Sequence, residues 1–235
     1  MPIYLPELSL DTYEFPNVET ALTSPDGLLA MGGDLSLTRI INAYRNGIFP
    51  WFSDDEPILW WSPSVRAMIK PTACHISKSM KRVVAKKCFT VTVNHAFNDV
   101  IHACAQPRKN QNGTWITENM MKAYIDLHHQ GYAHSIEVWQ TGKLVGGLYG
   151  INIGTIFCGE SMFSLVDNSS KLAFIALNKH FSRFQGILID CQMPTPHLQT
   201  LGVYPISREQ YMCYLRAYRD KKVLTGCWTP QQLFI

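Results

Sequence analysis

This sequence predicts an α+β fold built on a largely antiparallel sheet, and three observations carry the expectation. Residues 134–159 read as strand after strand: HSIEVWQ (134–140), a Thr141-Gly142 turn, KLVGGLYGIN (143–152) and GTIFCG (154–159). Helical patterns gather before and after this meander instead of alternating with single strands, which argues against a doubly wound βαβ sheet. The first 65 residues differ in texture, with two aromatic clusters, GIFPWF and ILWWSP, broken by Pro50, Pro57 and Pro63. A boundary near residue 65 follows, giving a small N-terminal domain (1–65) and a larger domain (66–235).

Along the chain, SPDGLLAMGGDLS (24–36) reads as turns around a short apolar segment. Ser36 then caps a helix in which Leu37, Ile40, Ile41 and Tyr44 recur at helical spacing and which Gly47 ends. From 75 to 87, Ile76, Met80, Val83 and Val84 share one face, and Lys78, Lys81, Arg82 and Lys86 the opposite one. The strand FTVTV (89–93) leads into a helix whose buried stripe is Phe97, Val100, Ile101 and Cys104. QPRKNQNG (106–113) is a polar loop, after which Thr117 caps a helix carrying Met120, Met121, Tyr124 and Leu127 and ending before Gly131. Beyond the meander come a helix over 169–184, the strand ILIDC (187–191), a short helix between Thr195 and Gly202, and a helix opened by a Ser207–Gln210 capping box.

Composition narrows the function classes. With 46% hydrophobic and 17% charged residues, the 235-residue chain is globular rather than disordered. A net charge of +3 is too small to announce a nucleic-acid binder, so any basic surface must come from clustering. The 7 cysteines are scattered without a CxxC pair, which excludes a disulfide framework and a zinc ribbon and suits free thiols in a reducing compartment. The N-terminus lacks the basic and apolar regions of a signal peptide, and no apolar run approaches a membrane span. A soluble cytoplasmic protein with no membrane partner is the expectation. The 8 histidines show no HExxH spacing, so no metal is expected. There is no GxSxG elbow either. GGLYG (146–150) is neither a P-loop nor a dinucleotide fingerprint, and marks a bulge or a close approach to the backbone.

Two features point to chemistry. The segment 75–87 contains no acidic residue, so its cations are unpaired along the helix, and Arg66 and Lys70 precede it. A solvated face accounts for this stripe; so does a phosphate backbone, which is bound through charge with little sequence information. The second feature is a pair of carboxylates. Glu160 directly follows TIFCG and Asp190 ends ILID, positions where an ionised group is costly unless paired or used. Either alone reads as a cap or turn residue. On a continuing strand Asp190 and Gln192 would share a face and address one bound group.

The literal strings GLLAMGGDLS, AYRNGIFPWF, ILWWSP, HISKSMKR, GTWIT, GYAHSIEVW, VGGLYG, FCGESMFS, SSKLA and DCQ, in this order from 27 to 192, closely resemble the bacterial leucyl/phenylalanyl-tRNA–protein transferases. The resemblance implies a cytoplasmic aminoacyltransferase of the N-degron pathway. It would take Leu or Phe, less often Met, from aminoacyl-tRNA and join it to proteins beginning with Arg or Lys. It implies a small N-terminal domain, an acetyltransferase-like (GNAT-like) larger domain, no cofactor, and action as a monomer. By matching motif, Asp190 and Gln192 form the reaction-centre pair with Glu160 close by. The pocket for the transferred side chain and the terminal adenosine maps onto Trp51, Trp115, Leu148, Met162 and Ser164, with Tyr44 and Tyr124 beside it. Lys78, Lys81 and Arg82 match the tRNA-contacting helix, and Arg66 and Lys86 join them as tRNA-binding cations. The expected chemistry gives Asp190, oriented by Gln192, the amine proton, and gives Glu160 the acceptor's cationic side chain. The RxxGxG/A loop of acetyl-CoA enzymes is absent. That sets apart the alternative, a CoA-dependent small-molecule N-acyltransferase. A non-catalytic RNA-binding module, resting on the basic helix alone, is a third reading.

Overall fold

Two sheets organise the chain in the computed structural model, which describes residues 5–106 and 116–235. The smaller takes β1 (Glu7–Leu8), β2 (Leu28–Gly32), β3 (Phe49–Pro50) and β4 (Leu59–Trp61) in the order β1-β2-β4-β3. These strands have two to five residues, too short to leave a period-2 pattern, and the sequence shows only turns and aromatics there. Between β2 and β3 runs α1 (Leu37–Arg45); the Ser36 hydroxyl accepts from the Arg39 N–H, and Gly47 takes φ +75°, as the sequence predicts.

The large sheet begins with β5 (Val65–Ile69). Next come α2 (Lys78–Ala85), capped by Ser77, β6 (Thr90–Val93), α3 (Phe97–Ala105) and α4 (Glu118–His129), capped by Thr117. The meander is β7 (Ala133–Gln140), β8 (Lys143–Ile153) and β9 (Ile156–Ser164). It is followed by α5 (Ser169–Arg183), β10 (Leu188–Asp190), α6 (Pro196–Gln199), β11 (Tyr204–Ser207), α7 (Arg208–Tyr218) and β12 (Gln231–Leu233). The strand order is β11-β5-β10-β9-β8-β7-β6-β12. Every neighbouring pair is antiparallel except β9 and β10, which α5 joins as a parallel crossover. A mainly antiparallel sheet with one parallel crossover is the acetyltransferase-like arrangement expected of the larger part.

Each face of this sheet carries its own core. On one face Met68, Tyr149, Ile151 and Cys158 pack with Val100 of α3, Tyr124 of α4, Tyr44 of α1, Tyr211 of α7 and Trp60 of the small sheet. The N-terminal segment is therefore welded to the large sheet through shared apolar side chains. On the opposite face Ile69, Ile136, Leu148 and Phe157 pack under Leu172, Phe174 and Phe181 of α5 and Met80 of α2. Each fully buried Leu or Phe contributes about 1.5–3 kcal/mol relative to exposure, so packing rather than helix propensity holds α5.

The double glycine of VGGLYG serves both faces. A Cβ on Gly146 would stand 2.5 Å from Ser169 Cβ and 3.0 Å from its carbonyl carbon, at the start of α5. On Gly147 it would meet the Ile136 carbonyl at 2.7 Å and Val100 of α3 at 3.3 Å. The close approach that these glycines permit is that of the chain's own helices. Gly146→Ala should destabilise the protein by about 1–3 kcal/mol through overpacking, read as a lower urea midpoint with an unchanged slope.

Candidate functional site

The strand β9 does not end at Gly159, as the apolar pattern suggests; it continues through ESMFS to Ser164. The register explains how. Gly150 pairs with Gly159 and Tyr149 with Ser161, so Glu160 is the extra residue of a β-bulge. The bulge turns the Glu160 side chain onto the face of Tyr44 and Tyr124, while Met162 packs on the opposite face, under α5.

Glu160 is partly exposed and densely bonded. The Tyr44 hydroxyl donates to Oε1 at 2.7 Å and the Tyr124 hydroxyl to Oε2 at 3.0 Å. The two tyrosine oxygens lie 2.7 Å apart, and Gln192 Nε2 donates to Oε1 at 3.3 Å. Burial pushes the Glu160 carboxyl up to about 7, against the two tyrosine hydrogen bonds; Asp190 adds to the upward push and Arg66 opposes it. Both tyrosine hydroxyls are raised well above their ordinary range, chiefly by burial, and stay protonated donors.

Asp190 sits in a different environment. It is fully buried, with Arg66 Nε at 2.9 Å from Oδ1 and Nη2 at 2.7 Å from Oδ2. The Tyr211 hydroxyl donates to Oδ2 at 3.1 Å, and the Gln192 backbone N–H to Oδ1 at 3.0 Å. Arg66 completes its own bonding at the Gly47 carbonyl, 2.9 Å away, with its guanidinium 4.4 Å from the Tyr211 ring centre. Burial works against the Arg66 charge, and Asp190 more than restores it, so the guanidinium stays charged. Arg66, expected among the tRNA-facing cations, is 1% exposed and committed to Asp190, so it is no part of a phosphate-facing surface.

The expectation that Asp190 and Gln192 share a strand face fails for a backbone reason. β10 ends at Asp190, and Gln192 takes φ +53°, so the two side chains diverge. Asp190 anchors the turn and Gln192 reaches Glu160. This junction lies where β10 stops alongside β9, at the carboxyl end of a parallel pair.

Of the expected pocket residues, Tyr44 and Tyr124 gather on Glu160. Trp51 is 39% exposed, its ring edge-on to Trp61 at 5.5 Å. Leu148 pairs with Met162 across β8 and β9 in the core under α5, and Leu148 is closed to solvent. The Ser164 hydroxyl meets Ser169 Oγ at 2.9 Å. Trp115 lies outside the described residues, as do Arg108, Lys109 and residues 107–113 of the polar loop. On α2, Lys78, Lys81, Arg82 and Lys86 are exposed, and among the described residues none of them is ion-paired. Sequence reasoning missed Tyr211, which lies in a stretch of weak resemblance, and misplaced Arg66. A lone cation inside the apolar strand VRAMI was the available signal. No group of three His, Cys, Asp or Glu among the described residues could hold a metal. No helix among them is long and apolar enough to cross a membrane.

Comparison with known proteins places this geometry. The family described as leucyl/phenylalanyl-tRNA protein transferase matches residues 68–216, and its N-terminal domain matches 33–64. The chain belongs to this family. A leucyl/phenylalanyl-tRNA–protein transferase of Psychromonas ingrahamii is 59% identical over 100% of this chain and 99% of its own. One of Pectobacterium atrosepticum is 53% identical over 97% and 96%, and one of Vibrio cholerae 52% over 99% and 96%. Arg66 falls in the short gap between the two matched regions.

The buried pair gives a direct test. Arg66→Leu should cost about 3–5 kcal/mol in chemical denaturation because it strands a buried carboxylate. The double variant Arg66→Leu/Asp190→Leu should recover most of that loss.

Proposed function

We propose that this aminoacyltransferase moves leucine or phenylalanine, and less often methionine, from charged tRNA to the N-terminal arginine or lysine of acceptor proteins, with Glu160 as the proton acceptor. The family membership supports the reaction class, and no described feature favours the CoA-dependent alternative. One observation carries the residue assignment: of the two strand-end carboxylates, only Glu160 combines partial exposure with a pKa near 7.

An aminoacyl ester is already activated, so transfer needs positioning and an unprotonated amine. The amine nitrogen attacks the ester carbonyl, forming the amide C–N bond. The bond to the ribose oxygen breaks, and the proton leaving nitrogen passes through Glu160 to that oxygen. Gln192, its Nε2 spent on Glu160, keeps its carbonyl oxygen for an amine N–H. Asp190 acts at one remove. Its four hydrogen bonds hold the turn that aims Gln192, and leave it no free lone pair facing substrate. It is a positioning residue and the earlier expectation of a base at Asp190 moves to Glu160. The exposed Trp51 and the unpaired cations of α2 suit the terminal adenosine and the tRNA backbone.

The sign of the pH dependence follows. Only the ionised carboxylate accepts a proton, so transfer should rise as pH climbs through about 7. Incubation with labelled phenylalanyl-tRNA and an Arg-initiated peptide measures it; no transfer by the intact protein sinks the reading. Glu160→Gln should lower kcat about 10²–10³-fold and remove the limb near 7. The limb of the substrate amine near 8 would remain. An unchanged profile would return the proton to another group. Lys78→Glu/Arg82→Glu should weaken binding of all tRNAs alike and flatten its salt dependence, with peptide KM unmoved.

A further inference from the structure

A cleft of about 790 Å³ opens at the amino end of β9, between the edge of the large sheet and the C-terminal segment 219–230. Arg45, Arg219, Lys221 and Lys222 line it against a single acid, Asp220, which is itself paired with Arg45 and Arg219. The rim is thus positive even after internal pairing. None of these cations enters the transfer chemistry.

The floor is the more informative part. His134 Nε2, Trp228 Nε1, Arg219 Nε and Asn152 Oδ1 are all buried without a hydrogen-bond partner, and all four residues line this one cleft. Such orphaned groups are rare and costly, about 1–3 kcal/mol each. The histidine tautomer can be deduced. The Ser135 N–H donates to Asn94 Oδ1 at 2.9 Å, so the other end of that amide is its NH₂. Asn94 Nδ2 donates to the Trp228 carbonyl at 2.7 Å and faces His134 Nδ1 at 3.0 Å. A donor at Nδ1 leaves the ring proton on Nε2. His134 is 3% exposed and stacked on Trp228 at 4.2 Å; burial lowers its pKa to about 3, so it remains a neutral donor. Three N–H groups and one carbonyl therefore point into the cleft unspent, beneath a cationic rim. That excess of donors fits a tetrahedral oxyanion.

The location identifies its source. Arg45 follows Tyr44 on α1, and His128, another lining residue, stands one turn beyond Tyr124 on α4. A turn is about 5.4 Å, so the cleft adjoins the tyrosines that hold Glu160. Exposed aromatic surface at Tyr132 and the indole of Trp228 accompany the cations, the pairing found where single strands are held by stacking and charge. We propose that this cleft is a phosphate-binding site, filled during transfer by a phosphodiester of the charged tRNA. The tRNA source rests on the transferase reading; the phosphate chemistry does not.

Two variants test it. Lys221→Ser/Lys222→Ser removes rim charge at exposed positions, and Trp228→Phe deletes one N–H while keeping a ring stacked on His134. Thermal unfolding of each checks the fold. In the wild type, the Trp228 indole N–H resonance should shift on adding inorganic phosphate or deacylated tRNA, and not with chloride at equal ionic strength. For the lysine variant, the slope of log affinity for tRNA against log salt should fall by about 1–2. A reduced slope assigns the phosphate to tRNA. An indole shift with phosphate and an unchanged tRNA slope assigns it to a free phosphate compound and overturns the tRNA source. No indole shift with either ligand overturns the site. Transfer to the Arg-initiated peptide, run in parallel, separates the two ideas. Wild-type transfer without an indole shift sinks the cleft alone, and a shift without transfer sinks the transferase reading alone.

Discussion

Arg66 and Asp190 form a bidentate ion pair in which neither side chain is more than 2% exposed, and the geometry around the site hangs on it. Two charges removed from water each cost several kcal/mol, and mutual attraction offsets that only when the remaining donors and acceptors are filled. Here they are filled. Arg66 spends Nη1 on the Gly47 carbonyl at the end of α1, and Asp190 takes Tyr211 of α7 and the Gln192 N–H. Four segments distant in sequence, the α1 terminus, β5, the turn after β10 and α7, are therefore tied at one point. An apolar core could hold them together as firmly. The ion pair adds direction, since a carboxylate accepting a backbone N–H fixes the turn at 190–192 and hence the aim of Gln192.

The two carboxylates of the site differ in charge state because their neighbours differ. Asp190 faces a guanidinium, whereas Glu160 faces only neutral donors: two phenols and an amide. Neutral donors stabilise a carboxylate without repaying its lost hydration, and burial wins, leaving the pKa near 7. A group that shares its proton evenly at neutral pH suits a step in which a proton must leave nitrogen and then reach oxygen. The bulge makes this possible. On a regular strand Glu160, Met162 and Ser164 would share a face; the extra residue places Glu160 on the tyrosine face and Met162 under α5.

Much of this was legible in the sequence. Ser36, Ser77, Thr117 and Ser207 cap helices because hydroxyl-to-N–H geometry is local, and the meander shows in its turns and β-branched runs. Motif strings led to Glu160, Asp190, Gln192, Tyr44 and Tyr124. Three things could not be read. Strands of two or three residues carry no period, so the small sheet was invisible. The bulge changes which face a residue takes without changing its letter. And the role of Arg66 depends on a partner 124 positions away, which its own neighbours do not announce. A cation in an apolar strand looks the same whether it meets a phosphate or a buried carboxylate; only burial separates the two.

That separation also divides the protein's positive charge by function. Arg66 is dehydrated and structural, and its charge never meets solvent. The α2 cations stand exposed with no acid among them, and keep their hydration until an anion displaces it. Such charges give reach and rate of encounter but little orientation. Orientation of an ester within ångströms of Glu160 must come from fixed groups near the centre. The aromatic rings of Trp51 and Trp61, and the unspent donors beside α1 and α4, are rigid features of that kind. A transfer that needs no cofactor chemistry, only two substrates held in register, places its demand on such rigidity. That is why the ion pair, although it touches neither substrate, is the constraint from which the rest follows.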